Sequence, residues 1–152
     1  MHKDFGYLYT LTINTISVIQ RPQTIFLILS ILSSLAVYFT PIYDKAMQDP
    51  QLWIGYGLAS ALMFAMLLVL FSVFKYSDRK AQIKWVKISI LPQIIGFGLA
   101  LGVLFTLGGI GTYLWDEAIG AGLILLALLF QGLAIRFIKK DLNLVRSIDR
   151  IR

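Results

Sequence analysis

The sequence predicts an all-α fold: an integral membrane bundle of four transmembrane helices, up-down-up-down, with a cytoplasmic C-terminal helical tail. Three observations predict it. Four long segments carry almost no charge, and each is long enough to cross a bilayer. Charged residues make up 14% of the 152 residues, against about 25% in an ordinary soluble domain, so the chain lacks the charge to cover a globule. Finally, the basic residues collect on one side of the apolar segments, as the positive-inside rule requires of cytoplasmic loops.

Residues 1–17 form an N-terminal extension of mixed character. Tyr7, Leu8, Tyr9, Leu11, Ile13 and Ile16 alternate loosely with Thr and Asn, the pattern of a short strand or an interfacial segment. No apolar core long enough for a signal peptide occurs there. Residues 1–17 read either as a disordered tail or as an over-extended start with Val18 as the true one, and the single domain is expected over residues 18–152. Arg21-Pro22 opens the first span, because proline fits the first turn of a helix, where its missing N–H has no partner to lose. Residues 23–43 then run without charge; at ~1.5 Å per residue they cross a ~30 Å hydrocarbon core.

A short connector follows at residues 44–51, with Pro41 and Pro50 expected to stop the flanking helices. The second span covers residues 52–74. Trp53 and Tyr56 near its start and Tyr76 just past its end are interfacial anchors, and Gly55 and Ala59 are spaced for close helix contact. The third span covers residues 86–107 and carries Pro92, whose missing donor frees the carbonyl four residues earlier. Gly108, Gly109 and Gly111 end it. The fourth span covers residues 118–137, and the tail, residues 138–152, keeps Leu142, Val145 and Ile148 on one stripe.

The basic stretch between the second and third spans sets the orientation. It holds Lys75, Arg79, Lys80, Lys84 and Lys87 against Asp78 alone. With this stretch and both termini inside, Lys45 is the only one of the 14 Lys and Arg residues left outside. The net charge of +6 therefore reads as topology and contact with anionic lipid rather than as a nucleic-acid surface. The expected location is a cytoplasmic membrane, multi-pass, with the N- and C-termini cytoplasmic.

Chemistry is sparse. The chain has no cysteine, and its one histidine is His2, so thiol redox chemistry, thiolate metal sites and histidine clusters are absent. The span interiors contain no Asp, Glu, Lys, Arg or His, whereas ion-coupled transporters and proton relays keep such groups at membrane depth. No catalytic constellation, cofactor site or metal site is predicted. Gln93 and Gln131 are the polar candidates. Each lies a few residues inside the same interface, ~9 Å in for Gln93 at helical rise, and their amides are placed to bond to each other. They serve as packing glue or as one wall of a polar pocket. Gly98 and Gly102 form a small-xxx-small pair, expected to be helix-contact glycines inside the bundle or on a dimer face.

Two stretches carry a resemblance. One is Ile19-Gln20-Arg21-Pro22-Gln23-Thr24. The other is Ile138-Lys139-Lys140-Asp141 followed by Leu144-Val145-Arg146-Ser147-Ile148-Asp149-Arg150-Ile151-Arg152. With four spans and a central basic stretch between them, the chain resembles the bacterial family of four-span membrane proteins known as domain of unknown function 4293. The resemblance covers residues 18–152 and implies an integral protein of the bacterial inner membrane with no assigned activity. Gln20, Arg21, Gln23, Asp141, Arg146, Asp149 and Arg150 are the motif residues singled out for structural or interaction roles. The tail is expected to fold back so that Asp141 or Asp149 meets Arg21 or the basic stretch.

These residues favour a non-enzymatic accessory or scaffold subunit of an envelope complex, embedded in lipid and contacting a protein partner or further copies of itself. The alternative is a small transporter or lipid-handling protein with a polar pocket between the third and fourth spans.

Overall fold

A computed structural model of the chain describes the backbone of residues 22–48, 53–106 and 115–149, and the side chains of these segments through residue 144. The expected strand or interfacial segment in residues 1–17 lies outside the described residues. All regular structure among the described residues is helical: α1 (Pro22–Ala36), a 3-10 turn (Val37–Phe39), α2 (Pro41–Gln48), α3 (Trp53–Phe74), α4 (Arg79–Thr106) and α5 (Trp115–Asp149). Four of these units are long and apolar enough to cross a membrane: α1 with its 3-10 turn, α3, α4 and α5. The chain is a multi-pass membrane protein.

Local chemistry fixes the boundaries. Pro22 opens α1. Thr40 ends the first span with φ −102° and ψ 152°, the extended conformation that a following proline imposes. The Thr40 hydroxyl donates to the Val37 carbonyl at 2.6 Å. Pro41 then starts a new helix, so the expected connector at residues 44–51 is corrected: Pro41–Gln48 is helical. Proline stops the helix before it and, at a first helical position, begins the next. The basic stretch is also shorter as a loop than expected. Asp78 caps α4, its Oδ1 accepting from Lys80 N at 3.0 Å and Ala81 N at 3.1 Å. Helix therefore begins at Arg79 rather than near residue 86. Pro92 lies inside an unbroken α4, and α5 begins at Trp115, taking Asp116 and Glu117 into its first turn, where the helix dipole favours acids.

The spanning helices pack as a square. α3 lies against α4 and α1 against α5; α4–α5 and α1–α3 close the other sides. Sequence neighbours are therefore space neighbours throughout. α1 and α4 stand on one diagonal, α3 and α5 on the other, and backbones across these diagonals scarcely approach.

The buried positions step by three and four residues in turn. On α4 they are Gln82, Val86, Ser89, Gln93, Gly96, Ala100 and Val103. On α3 they are Gly55, Leu58, Leu62, Ala65, Val69 and Ser72. Leu27, Ser30, Ser34 and Val37 repeat the pattern on the first span, and Gly120, Ile124, Ala127, Gln131, Ala134 and Ile138 on α5. A 3.5-residue repeat is that of left-handed coiled-coil packing. The seam is rich in small and polar residues, while Met63, Phe64, Leu67, Phe71, Leu91, Ile94, Ile95 and Phe105 face outward. Large apolar chains cover the outside because lipid, unlike water, does not drive them inward.

Two apolar clusters lie along the seam. At the basic end, Leu27, Val69, Val86, Ala134 and Ile135 meet. At the opposite end, Val37, Leu58, Leu62, Ala100, Val103, Leu104 and Ile124 enclose Ile42 and Ala46 of α2. This short helix thus folds over the far end of the bundle, contacting α3, α4 and α5. The Tyr38 hydroxyl donates to the Ala59 carbonyl at 2.6 Å and ties the 3-10 turn to α3.

Two glycines admit α2. A Cβ on Gly120 would collide with Ile42 and lie 2.6 Å from Thr40 Oγ1. A Cβ on Gly55 would stand 2.7 Å from the Ala46 carbonyl oxygen. The close contact expected at Gly55 is present. That expected inside the bundle for Gly98 and Gly102 is corrected: both are exposed on α4, with nothing within 4 Å of the position a Cβ would take. The glycine of α4 that meets a neighbour is Gly96, 3.0 Å from Leu62 Cδ2 by the same measure.

Candidate functional site

Between the two apolar clusters lies a polar layer. Gln93 and Gln131 are both fully buried, but their amides are not bonded to each other as expected. The α1 serines take them instead. Gln93 Nε2 donates to Ser34 Oγ at 3.0 Å, and the Ser34 hydroxyl lies 3.4 Å from Gln93 Oε1. Gln131 Nε2 donates to Ser30 Oγ at 3.1 Å. Ser89 donates to the Val86 carbonyl at 2.8 Å and lies 3.4 Å from Gln131 Oε1. The physical reason is register: Ser30 and Ser34 are one turn apart on the seam of α1, so Ser34 meets Gln93 of α4 across the open diagonal while Ser30 meets Gln131 of the adjacent α5. The Gln93–Ser34 pair supplies the link across that diagonal which the backbones do not make.

Towards the basic end the polar residues are handled differently. Gln82 is fully buried, and neither atom of its amide has a hydrogen-bond partner. A buried amide without partners costs free energy, whereas an apolar chain of similar shape does not. Replacing Gln82 by methionine is therefore expected to raise stability by about 1 kcal/mol, read as a higher midpoint of unfolding in mixed micelles. A lower midpoint would mean that water or another ligand satisfies the amide.

One turn before Gln82 stands Arg79, whose Nε lies 2.9 Å from Asp141 Oδ2. Asp141 thus meets the basic stretch. It does so without the expected fold-back, because α5 continues as one helix to Asp149 and returns to the end where α4 begins. A cleft of about 350 Å³ opens beside the pair, lined by Pro22, Gln23, Arg79, Phe137, Lys140, Asp141 and Leu144. Gln23 is buried, with no hydrogen-bond partner for its Nε2. Phe26 of α1 stacks on Phe137 of α5, ring centroids 5.2 Å apart, and holds the two helices together beneath the cleft.

Of the residues singled out in the sequence, this end therefore gathers Gln23 and Asp141, while Gln93 and Gln131 lie deeper. Gln20, Arg21 and Arg150 fall outside the described residues, as do the side chains of Arg146 and Asp149. Ser30, Ser34, Ser89 and Gln82 were not singled out. Their signal was available: Ser30–Ser34 and Ser89–Gln93 are pairs one turn apart, and Gln82 lies seven residues before Ser89 on the same stripe. Among the described residues, no group of three or more His, Cys, Asp or Glu is placed to hold a metal ion.

The family model described as "Domain of unknown function (DUF4293)" matches residues 19–151. No curated protein and no solved structure matches the chain.

Proposed function

The chain belongs to the DUF4293 family, and from that premise we propose that it is a non-enzymatic accessory or scaffold subunit of a larger envelope assembly in a bacterial cytoplasmic membrane. The polar layer carries this reading. Gln93 and Gln131 are the polar groups deepest in α4 and α5, and each donates its amide to a serine of α1, Ser34 and Ser30 respectively. Such bonds hold helices together, which is the work of a structural element.

The basic end supplies the surface for a partner. α4 carries Lys80, Lys84 and Lys87 exposed along its first turns. α5 has 35 residues, so at ~1.5 Å each it outruns a ~30 Å hydrocarbon core by roughly 20 Å. Placing this end in the cytoplasm satisfies the positive-inside rule.

Purification of a tagged copy at native expression level in mild detergent, followed by mass spectrometry, tests the proposal. A stable, stoichiometric partner is the expected result. A monomer or homo-oligomer without partner would overturn it and favour the second reading, a small lipid-handling protein, which rests on the cleft at the basic end rather than on a pocket between the third and fourth spans.

A further inference from the structure

We propose that the cleft between α1, α4 and α5 is a binding site for a phosphate group carrying net negative charge, supplied by the headgroup of an anionic phospholipid. Its polar groups suit a phosphate. Arg79 and Lys140 line it against the single carboxylate Asp141, which leaves the cleft one positive charge in excess. Gln23 lines it too, and this residue, only 2% exposed, has an amide Nε2 with no hydrogen-bond partner. A buried donor without a partner is costly, and a phosphate oxygen would satisfy it. The N-terminal end of α1, at Pro22 and Gln23, adds the favourable end of a helix dipole.

A free phosphate and a lipid phosphate share this chemistry, and the remaining lining favours the lipid. Pro22, Phe137 and Leu144 form an apolar wall beside the charged groups. The cleft lies where the apolar run of α5 gives way to Arg136, Lys139 and Lys140, the level of lipid headgroups. Beyond it, α1 and α5 carry exposed apolar side chains, among them Ile25, Leu29 and Leu129, against which the acyl chains of such a lipid can lie.

Thermal unfolding of the full chain in neutral detergent tests the proposal, with added phosphatidylglycerol, phosphatidylcholine or inorganic phosphate. Phosphatidylglycerol is expected to raise the unfolding midpoint more than phosphatidylcholine does, and inorganic phosphate at millimolar level to leave it unchanged. Lys140 is exposed, so Lys140→Gln should fold normally while weakening the phosphatidylglycerol effect about fivefold in apparent affinity, the equivalent of ~1 kcal/mol per cation. Gln23→Leu should weaken it as well. Lys84→Gln removes the same charge from the same end, outside the cleft, and should retain it. Equal losses in Lys84→Gln and Lys140→Gln would reduce the effect to general surface charge and overturn the site. A phosphatidylcholine effect as large would overturn the charge preference, and an equal response to inorganic phosphate would overturn the lipid source.

Discussion

Replacing Gly120 by alanine is expected to unseat α2 from the bundle and to cost about 1–3 kcal/mol, the usual range for overpacking. The added methyl would occupy the space of the Ile42 side chain and crowd Thr40 Oγ1. Neither neighbour can retreat freely. Ile42 is fully buried in the far-end cluster, and Thr40 is held by its bond to Val37. Gly55→Ala should act alike from the α3 side, because besides the movable Met47 Sδ it meets the backbone oxygen of Ala46, which cannot retreat. Gly98→Ala and Gly102→Ala should stay within ~0.5 kcal/mol of the parent, since open space surrounds both. Unfolding midpoints in mixed micelles rank the four. The absence of native cysteine permits a second readout: Ala46→Cys, fully buried in the parent, should react slowly with maleimide there and quickly beside Gly120→Ala. Equal reactivity in both backgrounds would show that α2 stays seated.

The second large effect is expected in the polar layer. Gln93→Leu and Gln131→Leu should each cost about 0.6–2 kcal/mol, the range for interhelical bonds in membranes. The two should differ in their partners. Gln93→Leu should be coupled to Ser34→Ala and additive with Ser30→Ala, whereas Gln131→Leu should be coupled to Ser30→Ala. Double-mutant cycles measure this directly. Additivity in both the Gln93–Ser34 and Gln131–Ser30 pairs would mean that the bonds contribute nothing beyond packing. The layer also fixes register. Sliding α1 by one residue would turn Ser30 and Ser34 away from both amides, so the loss should include uniqueness of packing as well as stability.

The spans and their order are legible in the sequence because they depend on run length and on where charge stops, and both are local properties. Which way each span faces is not legible from hydrophobicity. On α3, Leu58 and Leu62 are buried while Leu67 and Leu70 face outward, and the side chains are chemically identical. Only the small and polar residues, at steps of three and four, mark the inward stripe. The same limit explains the glycines. Gly98 and Gly102 satisfy a local spacing rule but face away from the bundle, whereas Gly120 matters because of Ile42, 78 positions earlier in the chain. The amides followed suit. Chain adjacency suggests a Gln93–Gln131 bond between the third and fourth spans, but α1 supplies both partners, Ser34 across the diagonal and Ser30 across the α1–α5 side. Pro41 shows a different limit: one residue both ends a helix and begins another, and the far-end cluster that rewards the second helix is assembled from distant segments.

The seat of α2 has a consequence for biogenesis. Its two close contacts come from α3, which follows it directly, and from α5, which leaves the ribosome last of the spanning helices. Until that last helix is inserted, Ile42 and Ala46 have the α3 and α4 walls of their socket but lack the α5 wall formed around Gly120 and Ile124. The seat of α2 is therefore completed only when every span has arrived. A chain interrupted before α5 would leave Ile42 and Ala46, fully buried in the finished molecule, open on the α5 side.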